Sequence, residues 1–343
     1  MGLLRYTARR LVASVPLLFL LSLLVFVLTR QIGDPVSLYV TPQTPPFLVE
    51  KIRAQYHLDE PIHVQYLYYL EGLFRGDWGY SRIAALPVTE AIATFLPATL
   101  ELTIYAMILA VAGGVYLGSL SASRKDTSVD YAARIAALSG YSTPMFWLGI
   151  VLLLVFYGGL GIFPPGRLSL EVEQTYFPPA GNFRSYTGLL TIDSLLNANF
   201  VVFIDAVEHL VLPVFVLGYP NLAIISRIMR TSMVEVLEAE YIDLARSKGL
   251  SEKIVESHHA RRNALISTTT MTGLVFAQLL GGAVLVEVVF SYPGMGMWVA
   301  NASLALDHAA IMGFTLFVAM GFIIVNLVVD ILYACLDPRI RLK

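Results

Sequence analysis

The chain has 343 residues, 57% of them hydrophobic and only 14% charged, with a formal net charge of −2. A soluble globular protein carries about 25% charged residues, so this composition excludes a soluble domain and indicates an integral membrane protein. The net charge says little about partners; its distribution says more, and nothing in it suggests nucleic acid.

Charge gaps locate the spans. Stretches 11–29, 102–123, 135–166, 210–226, 263–286 and 309–329 contain no Asp, Glu, Lys or Arg, and roughly 20 apolar residues cross a hydrocarbon core as a helix. Six spans are expected, the third running into a loop near Phe163-Pro164-Pro165. The fourth is the weakest, being short with Pro213 and Pro220 in or near it. With both ends inside, 16 of the 23 Lys and Arg fall in the inner segments, as the inner-face preference of basic residues requires.

The first span follows Arg5, Arg9 and Arg10. Its length and the absence of a small-x-small cleavage site favour an uncleaved anchor over a signal peptide. The segment from 31 to 96 reads as an external insertion. Pro42, Pro45 and Pro46 mark a turn-rich beginning, 61–70 reads as a short helix with Pro61 in its first turn, and Gly76-Asp77-Trp78-Gly79 closes it with a turn. Glu101, at the outer end of span two, is expected to be solvated or hydrogen-bonded. Pro144, like Pro213 and Pro220, breaks helical hydrogen bonding and is a candidate gating bend, with a kink tolerated by its neighbours as the alternative. A second external segment, 160–207, is rich in Pro and Gly.

The polar stretch from Glu235 to Asn263 lies between two apolar ones and carries much of the inner basic charge. Val234, Leu237, Tyr241, Leu244 and Ala245 share one helical face. Glu235, Glu238, Glu240 and Asp243 come early and Arg246 and Lys248 late, which suits the helix dipole. Gly249 fits a left-handed terminator, and Ser251 can cap a second helix. Four early acids argue against a helix lying on anionic headgroups, so a docked protein partner is the better reading.

In span five, Gln278 is a mid-span polar residue preceding Gly281-Gly282, where another helix or a substrate could approach closely. Glu287 is expected at the outer end of that span. Tyr292-Pro293-Gly294-Met295 fits a type II turn, with Pro293 at its second and Gly294 at its third position. Cys335, the single cysteine, excludes a disulfide framework and reads as apolar filler near the inner end of the last span.

Several segments together carry a family resemblance. Glu240-Tyr241-Ile242-Asp243-Leu244-Ala245-Arg246-Ser247-Lys248-Gly249-Leu250-Ser251, followed by His259-Ala260-Arg261-Arg262-Asn263-Ala264-Leu265, resembles the EAA loop of ABC importer permeases. The narrower likeness is to the first-subunit type of dipeptide/oligopeptide permease. Gln65-Tyr66 with Gly76–Ser81, Leu96–Leu102, Ser142–Gly149, Glu287–Gly296 and Asp337-Pro338-Arg339-Ile340-Arg341 are also similar to that type. Two features depart from it: Arg261 stands where the family has an apolar residue, and the external segment 160–207 is unusually long.

The resemblance implies an all-α, six-helix type I importer permease with an insertion between helices 1 and 2. It divides the chain into an anchor and insertion (1–96), a five-span core (97–336) with a cytoplasmic coupling loop at about 227–262, and an inner tail (337–343). It implies a heterodimer with a second homologous permease, two ATP-binding subunits carrying ATP and Mg, an extracytoplasmic binding protein, and residence in the cell membrane bilayer. Glu240, Tyr241, Asp243, Leu244, Ala245, Arg246, Gly249, Leu250 and Ser251 become candidates for ATPase docking. Gln278, Gly281, Gly282, Glu287, Pro293, Gly294 and Pro144 become candidates for the pathway or gate.

No lysine follows a glycine, so no Walker A loop is present, and no His precedes a Glu to start an HExxH zinc site. No cofactor, metal or catalytic residue is therefore expected in this chain. An ion-coupled transporter would want ionisable groups deep in the spans, against charge-free stretches. An intramembrane enzyme would have only His209, beside Glu208, as a starting point. The resemblance implies di- or oligopeptides as the first expected cargo, with oligosaccharides, nickel complexes and glutathione as alternatives.

Overall fold

The computed structural model describes residues 3–32, 36, 40, 43–179 and 181–336. The described chain is almost entirely helical. α1 (Leu3–Ile32) is followed by two short helices, α2 (Pro46–Gln55) and α3 (Ile62–Arg75). A small antiparallel ladder then pairs β1 (Tyr80–Ser81) with β2 (Leu86–Pro87). α2 occupies part of the stretch expected as turns: Pro46 starts a helix there because its fixed φ suits a first turn; Pro42 lies outside the described residues. α3 opens after Pro61 and ends at Gly76, whose φ of 85° is left-handed. This segment packs onto α1. The Tyr66 and Ser22 hydroxyls are 2.8 Å apart, and Tyr69 stacks on Phe26.

α4 (Val88–Ser123) and α9 (Phe200–Leu237) are the central pair. Every fourth residue of α4 from Ala98 through Leu102, Ala106, Ala110, Gly114 and Gly118 is buried, forming one small-residue ridge. A Cβ on Gly114 would stand 2.7 Å from Ile225, and one on Gly118 2.5 Å from the Ser226 carbonyl. Small residues at this spacing let two backbones approach where lipid supplies no hydrophobic drive. α9 runs unbroken for 38 residues through Pro213 and Pro220, about 57 Å at helical rise. The weak fourth span is thus the middle of the longest helix. Charge bounded the stretch, but a helix continues past a membrane surface as long as its neighbours hold it.

α5 (Ser128–Ser142) and α6 (Met145–Leu152) meet at Thr143-Pro144 with a bend of 103°. Pro144 therefore separates two helices, whereas α9 continues through Pro213 and Pro220 although each lacks the N–H of a helical bond. A π-helical stretch, Leu153–Gly159, continues α6. Between 160 and 199, α7 (Leu170–Tyr176) and α8 (Leu190–Leu196) pack a small core of Phe183, Leu190, Val202 and Ala206 against α9. After α9 come α10 (Glu240–Ser247), α11 (Glu252–Ile254), α12 (Arg261–Gly282), α13 (Val284–Val289), α14 (Met295–Leu304) and α15 (His308–Leu336).

Among the described residues, four helices are long and apolar enough to cross a membrane, within α1, α4, α9 and α15. The bent α5–α6 pair makes a fifth if it counts as one span. The expected fifth span, α12, has a polar first half. Ser267, Thr268, Thr269, Thr270 and Thr272 dilute its first half.

Candidate functional site

The polar segment after α9 forms a compact helical loop. α9 ends at Leu237, Ala239 is extended, and α10 begins at Glu240. The face expected to run from Val234 to Ala245 is therefore interrupted. On α10, Ile242 and Ala245 turn inward onto Val236 and Val255, while Tyr241 and Leu244 are 44% and 58% exposed. Ala245 is thus spent on the loop's own core, and Tyr241, Leu244 and the 36%-exposed Leu250 are the outward apolar groups.

α10 ends as a Schellman motif. Gly249 has φ +77°, its N–H donates to the Arg246 carbonyl at 2.9 Å, and the Leu250 N–H donates to Ala245 at 3.4 Å. Arg246 spans the break, donating to Glu252 at 2.8 Å and to Asp243 at 3.2 Å. Ser251 sits at the expected cap position, but its carbonyl rather than its hydroxyl receives the first helical N–H groups. From Glu252 the chain is helical without interruption to Gly282, through a π-turn at Val255–Ala260. Asn263 donates to the Tyr241 hydroxyl at 3.0 Å, so α10 is fastened to the first turn of α12. Lys125 meets Glu238 at 2.8 Å, which puts the α4–α5 turn at the same end.

A second charged knot stands beside this loop. Asp130, fully buried, accepts Arg230 Nε at 2.8 Å and Nη2 at 2.7 Å, and also the Ser121 hydroxyl. It ties α4, α5 and α9 together. No sequence pattern signalled it, because the partners lie about a hundred positions apart.

The pathway candidates separate into two groups. Gln278 and Gly281 lie on an exposed stripe of α12 with Ser267 and Leu274. A Cβ on Gly281 would meet only Val318, at 3.6 Å. Gly282 continues the same helix. Glu287, Pro293 and Gly294 belong instead to a packed knot at the opposite end. The buried Glu287 carboxylate accepts the Thr99 hydroxyl at 2.7 Å and the Met297 N–H at 2.9 Å. Thr99 in turn accepts the Met295 N–H at 2.8 Å.

The expected type II turn is not formed. Gly294 has φ −103°, Ser291 has φ +51°, and the Gly294 N–H bonds back to Tyr292 across Pro293, the pattern of an inverse γ-turn. Glycine is required at 294 by contact, not by backbone conformation: a Cβ there would land on the Glu287 carboxylate. Glu101, expected to be solvated or hydrogen-bonded, is hydrogen-bonded and buried. It pairs with Arg167 at 2.8 Å and accepts the Thr191 N–H and hydroxyl, each at 2.7 Å. Arg167 and Thr191 went unrecognised in the sequence because both lie in external segments. His209 is also enclosed, its Nδ1 2.8 Å from the Asp205 carbonyl. Among the described residues no three His, Cys, Asp or Glu side chains cluster as a metal site would require.

Two family models match: the binding-protein-dependent transport system inner membrane component over residues 114–342, and the N-terminal part of such a membrane component over residues 3–103. The chain belongs to this family. Its kinship extends over nearly the whole length. The chain is 42% identical to the probable D,D-dipeptide transport system permease protein of Escherichia coli strain K12, over 90% of this chain and 88% of that one. It is 40% identical to a di/tripeptide transport system permease protein of Pseudomonas aeruginosa, over 99% of each chain. It is 39% identical to the dipeptide transport system permease protein of Escherichia coli strain K12, over 99% of this chain and 100% of that one. Among solved structures, a crystal structure of an amino acid ABC transporter with histidines aligns at 16% identity with a TM-score of 0.45, over 73% of this chain and 94% of that one.

As a member of this family the chain is a multi-pass membrane component of a transport system. Its two departures from the family pattern have defined places. Arg261 is exposed at the start of α12, where a cation needs no burial. The long 160–207 segment is an ordered subassembly. Asp193 organises it by accepting the Thr187 N–H at 2.9 Å, the Gly188 N–H at 2.9 Å and the Ser185 hydroxyl at 3.1 Å. Burial pushes the Asp193 carboxyl up, and these donors outweigh it, leaving the group below its ordinary value.

Proposed function

We propose that this chain is one of two homologous permeases in an ATP-driven importer of di- or oligopeptides. In this reading it has six spans in a type I arrangement, with α12 as the fifth in order, both termini cytoplasmic and the segments 31–96 and 160–207 outside. Residues 1–96 act as anchor and insertion, 97–336 as the core and 337–343 as a tail. Two ATP-binding subunits, carrying ATP and Mg, dock beneath it. A second permease completes the pathway, and an extracytoplasmic binding protein delivers cargo. The names of the relatives support peptides as that cargo; oligosaccharides are the alternative, and uptake of labelled dipeptides against maltodextrins by cells lacking the chain separates the two.

The observation that carries the docking role is the geometry of α10. A short helix projects Tyr241 and Leu244 outward with Glu240 and Asp243 beside them, while its inner face is fixed to the helical run from Glu252 to Gly282. A push on α10 is therefore transmitted to α12, and through it to the stripe bearing Gln278 and Gly281. Leu244→Asp places a charge at the centre of the outward face without disturbing the loop's own core. It should abolish copurification of the ATP-binding subunits while the permease amount stays normal. Undiminished copurification would remove α10 from the interface.

A further inference from the structure

Beside the Asp130 knot, α4, α5 and α9 leave a groove of about 300 Å³. Leu138, Tyr141 and Ile224 form much of its apolar wall, and Arg134, Arg227 and Arg230 stand around it. The charges do not balance. Arg230 holds both oxygens of Asp130. Arg134 reaches the same carboxylate only at 3.6 Å. Arg227 lies over the Tyr141 ring at 5.9 Å and has no acidic partner among the described residues. The groove's lining thus holds three guanidinium groups and no acid; Arg134 and Arg230 share Asp130, with Asp126 acting on Arg230 from further off, which leaves a positive surplus beside an apolar wall. Neighbouring Tyr131, Ile135, Leu138 and Tyr141 on α5 are all more than half exposed, as side chains facing acyl chains would be.

We propose that this groove binds one anionic phospholipid, with its phosphodiester between Arg134 and Arg227 and an acyl chain along Leu138, Tyr141 and Ile224. The chemistry selects that occupant. A zwitterionic lipid brings no net charge to offset the surplus. A free phosphate offers the wall nothing apolar. Arginine presents paired donors that match phosphate oxygens, and basic pockets between helices on the cytoplasmic side suit acidic headgroups. The groove sits at the end of the molecule where basic residues concentrate, by the α4–α5 turn. It is separate from α10 and from the exposed stripe of α12, so it stands or falls independently of ATPase docking.

The test is native mass spectrometry on the full chain, purified in mild detergent with whatever subunits accompany it, delipidated, and titrated with phosphatidylglycerol, phosphatidylcholine of the same acyl chains, and glycerol 3-phosphate. Phosphatidylglycerol should bind and the other two should not compete. Arg134→Gln with Arg227→Gln should weaken that binding about thirtyfold, whereas Arg227→Lys and the off-groove Arg124→Gln should keep most of it. Thermal unfolding of the unliganded double variant should match the native chain, since both side chains are exposed and Arg230 is untouched. Equal binding of the two lipids overturns the proposal. So does displacement of phosphatidylglycerol by glycerol 3-phosphate alone. Loss of a copurifying permease in the double variant, with lipid binding unchanged, also overturns it and assigns the face to a protein partner.

Discussion

Replacing Gly249 isolates the backbone contribution to coupling. Its φ of +77° is left-handed, and a Cβ built there meets nothing within 4 Å. A substitution therefore carries no steric clash with neighbours, only the conformational cost of holding an L-residue in that region, about 1–2 kcal/mol. Alanine should show about this much, valine more because its branched Cβ crowds the backbone further, and asparagine little, since it visits the left-handed region routinely. Relief of that cost means turning the residue to a right-handed conformation. The bonds from Gly249 to Arg246 and from Leu250 to Ala245 are then lost, and the angle between α10 and the helix beginning at Glu252 changes. The global effect should be small: for a chain of this size, 1 kcal/mol shifts the melting temperature by about 2 °C. In reconstituted complexes we expect Gly249→Val to preserve protein amount and ATP hydrolysis while peptide uptake falls sharply, with Gly249→Asn close to normal. Uptake by the valine variant within about twofold of the native chain, a difference of roughly 0.4 kcal/mol, would refute a role for this angle in transmission.

Asp130→Asn should destabilise the chain by about 3 kcal/mol, because Arg230 keeps its charge in a largely enclosed place without its anion; the double change Asp130→Leu with Arg230→Met should melt closer to the native chain, and a single change without effect would show the knot to be dispensable. Gly294→Ala should cost about 1–3 kcal/mol, since the added methyl collides with the Glu287 carboxylate; adding Glu287→Ala should recover part of the loss, and additive losses would contradict the contact. Sidedness is testable with single cysteines at Ser185 and Ser247 in a Cys335→Ser background: an impermeant thiol reagent on intact cells should label position 185 and spare 247, and the reverse would invert the proposed orientation.

The readable parts of the sequence were those decided by local chemistry. A lone glycine after a basic helix end, with Leu and Ser beyond it, specifies a left-handed terminator whatever the tertiary setting, and Gly249 adopts one. The bend expected at Pro144 is present because the residue before it is held extended, whereas α9 continues through Pro213 and Pro220. Readings failed where distant partners decide. Gly294 looked like a turn glycine, yet it is glycine because a carboxylate seven positions earlier occupies its side-chain space. Ala245 looked like part of an outward face because the count ran through Ala239, where the helix breaks. For Glu101 the sequence left solvation and hydrogen bonding open, because Arg167 and Thr191, which decide for the second, lie in another segment. The ends of α9 were hidden because charge marks where lipid stops, and this helix does not stop there.

These contacts assign different mechanical roles to the helices. α4 and α9 touch through glycines so closely that a Cβ at Gly118 would strike a backbone carbonyl; near the helical loop Asp130 of α5 also holds Arg230 of α9 and Ser121 of α4, and at the other end Glu101 of α4 holds Arg167 in the loop before α7. Helices packed this closely resist shear, because sliding must disturb the Asp130 knot and force backbone past backbone. α12 has neither restraint along its exposed stripe. At Gly281 a Cβ would make only an ordinary contact with Val318, Gln278 is exposed, and the helix is joined to α10 through Asn263 and Tyr241 at its first turn. Displacement applied at α10 therefore meets its least resistance along α12, with α4 and α9 as the fixed frame. Stiffening the Gln278–Gly281 stripe should impair transport more than comparable changes on the outward faces of α9, and that contrast follows from the packing alone.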